Sequence, residues 1–253
     1  MVQQPPQPLI SIVRNTFASL PVDGVKRACD TPDGVLIAPP VPAPANPARV
    51  PVSLMIVGIV LAAGLSRRMG EPKAFLRAGE GTFLDRVVHA LGAACDRVVV
   101  VTGPDDQPAA RDVRDAATRL GASVAVNPDR GSPQLRSLQA GLAAVPPETR
   151  AVIACPVDIP DVSPNLAAQL ARVFDESGAP VVLPSHGGKH GHPVLFARSV
   201  FGELARTDLP EGARTVVHAH LHDLREVPVD ALAADVDTPD DYRRWREAAC
   251  PGG

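Results

Sequence analysis

An uninterrupted apolar run, Met55-Ile56-Val57-Gly58-Ile59-Val60, leads straight into Leu61-Ala62-Ala63-Gly64-Leu65-Ser66-Arg67-Arg68-Met69-Gly70-Glu71-Pro72-Lys73, and this junction constrains the fold more than any other segment. Short continuous apolar runs of this kind become strands buried on both faces of a parallel sheet. The loop therefore begins at a strand's carboxyl end. That is the edge where open α/β sheets bind ligands, because backbone N–H groups of the departing loops are free to face anionic oxygen. Arg67, Arg68 and Lys73 add positive charge, the guanidinium suited to forked phosphate contacts and the ammonium acting as a point charge. The segment reads as a nucleoside-triphosphate loop, although two adjacent arginines are also what an ordinary solvated basic turn contains.

Two commoner glycine motifs do not fit these residues. A phosphate loop of the Walker type needs four residues between its glycines and Lys-Ser/Thr directly after the second, whereas five separate Gly64 from Gly70 and Glu71 follows. A dinucleotide fingerprint needs G-x-G-x-x-G, but Ser66 stands where its second glycine belongs.

From Met55 onward strand and helix patterns alternate, which predicts an α/β sheet with helices on both faces. Thr82 is placed to cap a helix running to about Ala94, followed by a buried strand at Arg97–Val101. A helix from about Ala109 to Leu120 leads to a strand at Ser123–Val126. Leu135, Leu138 and Leu142 recur at helical spacing, before a strand at Ala151–Cys155 and a helix from about Asn165 to Glu176. Strands near Val181–Leu183 and His192–Phe196, a helix after Ala213 and a strand near Arg225–Val229 complete the pattern. A terminal helix starts at Thr238-Pro239-Asp240-Asp241, with proline at its favoured first position.

Residues 1–54 differ in texture. Gln3-Gln4-Pro5-Pro6-Gln7-Pro8 opens them and Pro39-Pro40-Val41-Pro42-Ala43-Pro44-Ala45-Asn46-Pro47 nearly closes them, a composition that favours extended, unpacked chain. Leu9–Val13 and Gly34–Ala38 have the makings of a small hairpin but too little apolar content for a core of their own. The expected division is a Pro-rich, disordered extension over 1–54 and one α/β domain over 55–249. A natural start at Met55 is the alternative.

The 25 basic and 28 acidic residues give a net charge of -3 and no basic footprint for nucleic acid, and 3% aromatic residues leave little surface for stacking single-stranded bases. No apolar stretch approaches the roughly 18 residues a membrane helix needs. Cys29, Cys95, Cys155 and Cys250 are scattered without a C-x-x-C pair, and no secretory signal is readable. The expectation is a cytoplasmic protein that handles small molecules, with Cys95 and Cys155 as small buried hydrophobes.

The pattern Leu61-Ala62-Ala63-Gly64-x-Ser66-x-Arg68-Met69-Gly70-x-Pro72-Lys73 resembles the signature of the MobA-like nucleotidyltransferases, and within them the chain is most similar to the MocA branch, the molybdenum cofactor cytidylyltransferases. The resemblance spans about Met55 to Trp245. It implies a Rossmann-like three-layer fold with a mostly parallel sheet, and Mg2+-dependent transfer of a nucleotidyl group from an NTP to a phosphorylated acceptor with release of pyrophosphate. CTP is the favoured nucleotide and GTP the next; the implied acceptor is the molybdopterin cofactor, with a molybdoenzyme as the recipient of the product. A sugar- or alditol-phosphate nucleotidyltransferase would share the loop and differ in its acceptor pocket. A non-catalytic maturation protein that holds a nucleotide-like cofactor would share the pocket and release no pyrophosphate.

Carried onto this chain, the resemblance makes Leu61, Ala62, Ala63, Gly64, Ser66, Arg68 and Lys73 nucleotide-binding, with Arg68, Lys73 and Asp158 catalytic. Asp158, in Pro156-Val157-Asp158-Ile159-Pro160, lies just beyond a strand and matches the family's metal-binding aspartate. Asp237, in Asp235-Val236-Asp237-Thr238-Pro239-Asp240, matches a second metal aspartate, though an aspartate before Thr-Pro equally suits a helix start. Hard carboxylate oxygens suit magnesium, which keeps several waters. Asn127 and Ser137 resemble residues that touch base and ribose; Pro133-Gln134-Leu135-Arg136 departs from the family's usual stretch before that serine, leaving the base open. Gly188-Lys189-His190-Gly191-His192-Pro193 and Glu211-Gly212-Ala213-Arg214 resemble acceptor-flanking segments, so that Lys189, His190, His192 and Arg214 would meet acceptor phosphate; the first is equally what a plain hairpin looks like. His218, His220 and His222 alternate, but this spacing does not share a helix face, which argues against a metal site.

Overall fold

The computed structural model describes residues 55–107 and 109–249. The chain divides into two units, Met1–Ala48 and Arg49–Gly253, and all described residues belong to the second. The expectations for residues 1–54, for Cys29 and for Cys250 lie outside the described residues.

The strands are β1 (Met55–Leu61), β2 (Arg77–Ala78), β3 (Gly81–Thr82), β4 (Arg97–Thr102), β5 (Ser123–Val126), β6 (Thr149–Pro156), β7 (Val181–His186), β8 (Lys189–His190), β9 (Val194–Ala197) and β10 (Arg225–Pro228). The helices are α1 (Phe83–Gly92), α2 (Ala110–Arg119), α3 (Gln134–Ala144), α4 (Pro164–Ser177), α5 (Phe201–Leu204), α6 (Ala213–Ala219) and α7 (Pro239–Ala249). One eight-stranded sheet runs β10-β7-β9-β6-β1-β4-β5, with β8 paired to β7. β1 pairs in parallel with β4 and β6, β4 with β5, and β7 with β10; β9 is antiparallel to both β6 and β7. The expected α/β fold with a mostly parallel sheet is what forms, and β2 and β3 make a separate small hairpin.

Strand alternation explains why the central runs are apolar throughout. Ile56 and Val60 of β1, Val98 and Val100 of β4, and Ala151, Ile153 and Cys155 of β6 face one core, which packs against α1, α2 and α4. Val57 and Ile59, Val99 and Val101, and Val152 and Ala154 face the other, against α3, α5 and α6. Each strand is therefore covered on both faces, and polar residues would have no side on which to meet water. The second core is tight: a Cβ added at Gly141 of α3 would lie 2.7 Å from Ile59 Cγ2, so α3 can rest on β1 only because residue 141 has no side chain.

Thr82 caps α1 as its sequence suggests. Its hydroxyl accepts from the Asp85 N–H and the Asp85 carboxylate accepts from the Thr82 N–H, a reciprocal capping box. Ser163, which accepts from Leu166 N–H, starts α4 with Pro164 at its first position. β9 begins at Val194 rather than His192, because Pro193 has no N–H to contribute to a ladder. The two-residue strands β2, β3 and β8 have no sequence period to read. Burial makes Cys155 a hydrophobe and pushes the Cys95 thiol up to about 12, so both are inert as nucleophiles. Among the described residues, no helix is long and apolar enough to cross a membrane.

Candidate active site

The chain runs outward from β1 through β4 to β5 on one side and returns to β6 on the other. At such a reversal the loops leaving the carboxyl ends of adjacent strands separate and open a crevice. Here the crevice is a cavity of about 480 Å3. Its floor is the loop after β1; its walls come from the loops after β4, β5 and β6, and Asp237 closes one end.

The loop folds back on Ser66. The Ser66 carbonyl accepts from the N–H groups of Met69 and Gly70 at 3.0 and 3.1 Å, and the Ser66 hydroxyl accepts from Lys73 N–H at 3.0 Å. Ser66 takes φ 48°, a left-handed conformation that disfavours side chains other than glycine, asparagine and aspartate. Its hydroxyl compensates by holding the loop's exit. The consequence is a run of idle donors: within the described residues, the N–H groups of Ala63 through Arg68 reach no protein acceptor. Consecutive free backbone donors lining a cavity are a binding surface for anionic oxygen.

Opposite this run sits an ion cluster. The Lys73 ammonium donates to Asp158 Oδ2 at 2.8 Å and also to Asp237 Oδ1, and the Arg68 guanidinium donates to Asp237 Oδ2 at 2.8 Å. Lys73 is only 12% exposed. Burial lowers its pKa, and hydrogen bonds to Asp158 and then Asp237 raise it; the carboxylates prevail and the ammonium is held above its ordinary value. The Lys73 bond is the main reason that Asp237 is held below the usual carboxylate range. Asp235, quoted in the sequence analysis without a role, lies beside them in the chain and is itself exposed. Partial desolvation of its carboxyl and then the charges of Asp158 and Asp237 push its pKa upward.

Position explains the cluster. Val157 N–H donates to Leu61 O at 3.1 Å and Val236 N–H to Asp158 O at 3.0 Å, so backbone bonds tie the Asp158 segment to the end of β1 and the Asp237 segment to that of Asp158. Asp237 lies two residues before α7, but the capping is done by Thr238, whose hydroxyl accepts from Asp241 N–H at 3.2 Å. Its carboxylate is thus committed to Lys73 and Arg68. The helix that carries it is anchored by Trp245, whose ring meets Phe83 edge-on at 5.0 Å and whose indole N–H donates to Asp161 Oδ2 at 2.9 Å.

Asn127, 3% exposed, is an organiser of the wall. Its amide donates to Ser132 and Ser137 hydroxyls at 3.0 Å each, and its carbonyl accepts from Asp129 N–H. Ser137 lines the cavity with its hydroxyl hydrogen still unassigned. The structure therefore brings together Leu61, Ala62, Ala63, Gly64, Ser66, Arg68, Lys73, Asn127, Ser137, Asp158 and Asp237.

The four expected acceptor residues lie outside that cavity. His192 feels the charge of Asp158, which lines the cavity. Burial, helped by Arg214, lowers its pKa against the pull of Asp158, so the imidazole is neutral at pH 7; its Nδ1 is buried without a partner. Arg214 sits in the first turn of α6 and is exposed. Lys189 is exposed on β8, while His190 Nε2 lies 2.7 Å from Glu226 Oε1 and is engaged there. The alternating histidines go to separate partners: His220 between Glu203 and Asp223, His218 to Glu211, His222 towards Asp223. Among the described residues no group of three or more His, Cys, Asp or Glu side chains converges to hold a metal.

Sequence reasoning passed over Gln107, Arg130 and Ser132, which also line the cavity. Arg130 bridges its mouth by pairing with Asp106 at 2.9 Å. No spacing rule marks these residues, since they become neighbours only when the loops after β4 and β5 are set side by side.

The family model described as MobA-like NTP transferase domain matches residues 58–224. A probable molybdenum cofactor guanylyltransferase of Mycobacterium avium is 32% identical over 213 residues, covering 78% of this chain and 98% of the relative. The molybdenum cofactor cytidylyltransferase of Escherichia coli is 27% identical over 189 residues, covering 75% and 94%. A solved structure of Rv0371c from Mycobacterium tuberculosis, in complex with manganese, superposes with a TM-score of 0.64 at 32% identity, over 77% of this chain and 99% of that one.

Proposed function

Because the chain belongs to the MobA-like NTP transferase family, we propose that it transfers a nucleotidyl group from an NTP to the phosphate of the molybdopterin cofactor and releases pyrophosphate. The observation that carries this reading is the Lys73 ammonium shared between Asp158 and Asp237 at the edge of a loop of free N–H donors. CTP is the favoured nucleotide, on the chain's resemblance to the cytidylyltransferase branch, and GTP the next; relatives of both kinds are similar to this chain. The product would pass to a molybdoenzyme.

Asp158 and Asp237 are the residues that would hold magnesium. They fit it: two hard-oxygen carboxylates on separate loops already accommodate one cationic centre between them. When bound, the ion supplies charge neutralisation along the triphosphate. The transfer needs little covalent help, because the acceptor phosphate is itself a nucleophile and the obstacle is repulsion between two anions held in line. The Ala63–Arg68 donors and the Arg68 and Lys73 cations address that obstacle by gripping the triphosphate. An acceptor phosphate oxygen attacks the α-phosphorus; the α–β bridging bond breaks, and its electron pair leaves with pyrophosphate. His192 and Arg214 offer the acceptor a neutral imidazole and a fixed positive charge beside Asp158.

A thermal-shift panel of ATP, GTP, CTP, UTP and dTTP with magnesium tests the nucleotide. At a hundredfold excess over Kd a ligand stabilises by about 2.7 kcal/mol, which for a domain of this size is roughly 5–10 °C. Such a shift with CTP or GTP, weakened in Asp158→Asn, is expected. A flat response to all five nucleotides overturns the proposal.

A further inference from the structure

Gln107 belongs to the loop after β4, and its backbone is fixed by a turn: its N–H donates to Pro104 O at 2.9 Å and its carbonyl accepts from Ala110 N–H at 3.2 Å. The residue is 6% exposed and forms part of the cavity wall. Its side-chain nitrogen donates to the carbonyls of Ala63 at 3.0 Å and Gly64 at 3.3 Å. Two carbonyl acceptors settle the amide's orientation, because the reverse would set oxygen against oxygen. The Oε1 atom is consequently buried without a donor. It occupies space that a side chain at residue 103 would need: a Cβ on Gly103 would stand 1.9 Å from it. The fold thus leaves one buried acceptor unsatisfied, which disfavours the folded state, while bringing this amide to those two carbonyls.

The return on that cost follows from peptide geometry. In a trans peptide the N–H points opposite the C=O of the same unit, and the described residues hold no cis bond in this loop. Drawing Ala63 O and Gly64 O towards Gln107 therefore turns the N–H groups of Gly64 and Leu65 away from it. Both are free of protein acceptors among the described residues. We propose that Gln107 is a positioning residue that aims the Gly64 and Leu65 N–H groups at a phosphate oxygen of the nucleotide. The inference rests on the triphosphate reading above and assigns a role to a residue outside the loop motif. Gln107 does not itself touch the substrate's reacting atoms. Phosphate rather than base is the target, because two adjacent backbone donors match anionic oxygen and carry no information that distinguishes bases.

The test measures equilibrium binding of CTP, GTP and tripolyphosphate, each with magnesium, to wild type, Gln107→Glu and Gly103→Ala. Gln107→Glu keeps the side chain's size and places a carboxylate against two carbonyl oxygens. Gly103→Ala displaces the untouched glutamine from its slot. Hydrogen bonds to a charged group are worth enough that misdirecting two of them should raise Kd about tenfold or more. The expected result is the same fold loss for CTP, GTP and tripolyphosphate in both variants, with the CTP-to-GTP preference unchanged and manganese affinity, followed separately, as in wild type. Circular dichroism identifies any variant that does not fold, in which case the other decides. Wild-type affinity for tripolyphosphate in a folded variant overturns the proposal, as does a loss confined to one nucleotide base. If wild type binds neither NTP nor tripolyphosphate, it is the triphosphate reading that fails.

Discussion

Replacing Lys73 with methionine removes the ammonium and keeps the packing of its stem. Two charge-assisted contacts to one nitrogen place the carboxylate oxygens of Asp158 and Asp237 no more than about 5 Å apart. At an effective dielectric constant of 20, like charges at that separation repel by about 3 kcal/mol. Removing one partner of a buried pair costs about 3–5 kcal/mol, but Asp158 and Asp237 are 24% and 33% exposed, so water screens part of this. The net expectation is a loss of about 2–3 kcal/mol near pH 7, or roughly 5–10 °C in Tm for a domain of this size. The loss must depend on pH in a fixed direction. In wild type Asp237 is held below its ordinary value of 3.8, so its contribution is present above that pH and is lost as pH falls through the lower, folded value. In Lys73→Met the two carboxylates repel, and protonating either relieves the strain, so the gap to wild type is widest at neutral pH and narrows towards pH 4. Millimolar manganese should raise the Tm of the variant more than that of wild type, because a divalent cation can take the place the ammonium has left. Thermal unfolding across pH, with and without metal, measures all three effects. A Tm within 1–2 °C of wild type, or a gap that does not change between pH 7 and pH 4, would refute the reasoning.

Ser66→Ala keeps the left-handed backbone at residue 66 and removes the hydroxyl that holds Lys73 N–H; a loss of about 1 kcal/mol in chemical denaturation is expected, with weaker NTP binding. The bond to Glu203, then that to Asp223, raises the His220 pKa. Its contribution is therefore complete below about pH 6.5 and is lost as pH rises through the folded value. His220→Gln should then be less stable than wild type at pH 5.5 by a margin that shrinks by pH 8.5. A margin that grows with pH would show that the histidine is not held as an imidazolium.

The architecture was legible because its causes are local. Thr82 with Asp85 announces α1, and the doubly apolar runs of β1, β4 and β6 announce central parallel strands, since each must satisfy two cores. Ser163 was missed as the start of α4 although a serine directly before Pro164 is itself a capping signal, and β2, β3 and β8 are too short to carry any. At the site, the loop could be read from its own residues and the two aspartates from the resemblance to the MobA-like family, and the structure brings them together. Whether Asp237 served a helix or a cation could not be read, because both roles favour an aspartate before Thr-Pro. The structure separates them, with Thr238 as the cap. Gln107 left no trace in the sequence. Its role depends on the separation of Ala63 O and Gly64 O from a loop forty residues away.

The most direct test of the central claim is pyrophosphate release from CTP or GTP, measured with purified protein, magnesium and molybdopterin cofactor, each omitted in turn. The account predicts release that requires all three and disappears in Asp158→Asn while the variant remains folded. Nucleotide binding without pyrophosphate release under any of these conditions would contradict it and would leave a carrier of the nucleotide rather than a transferase.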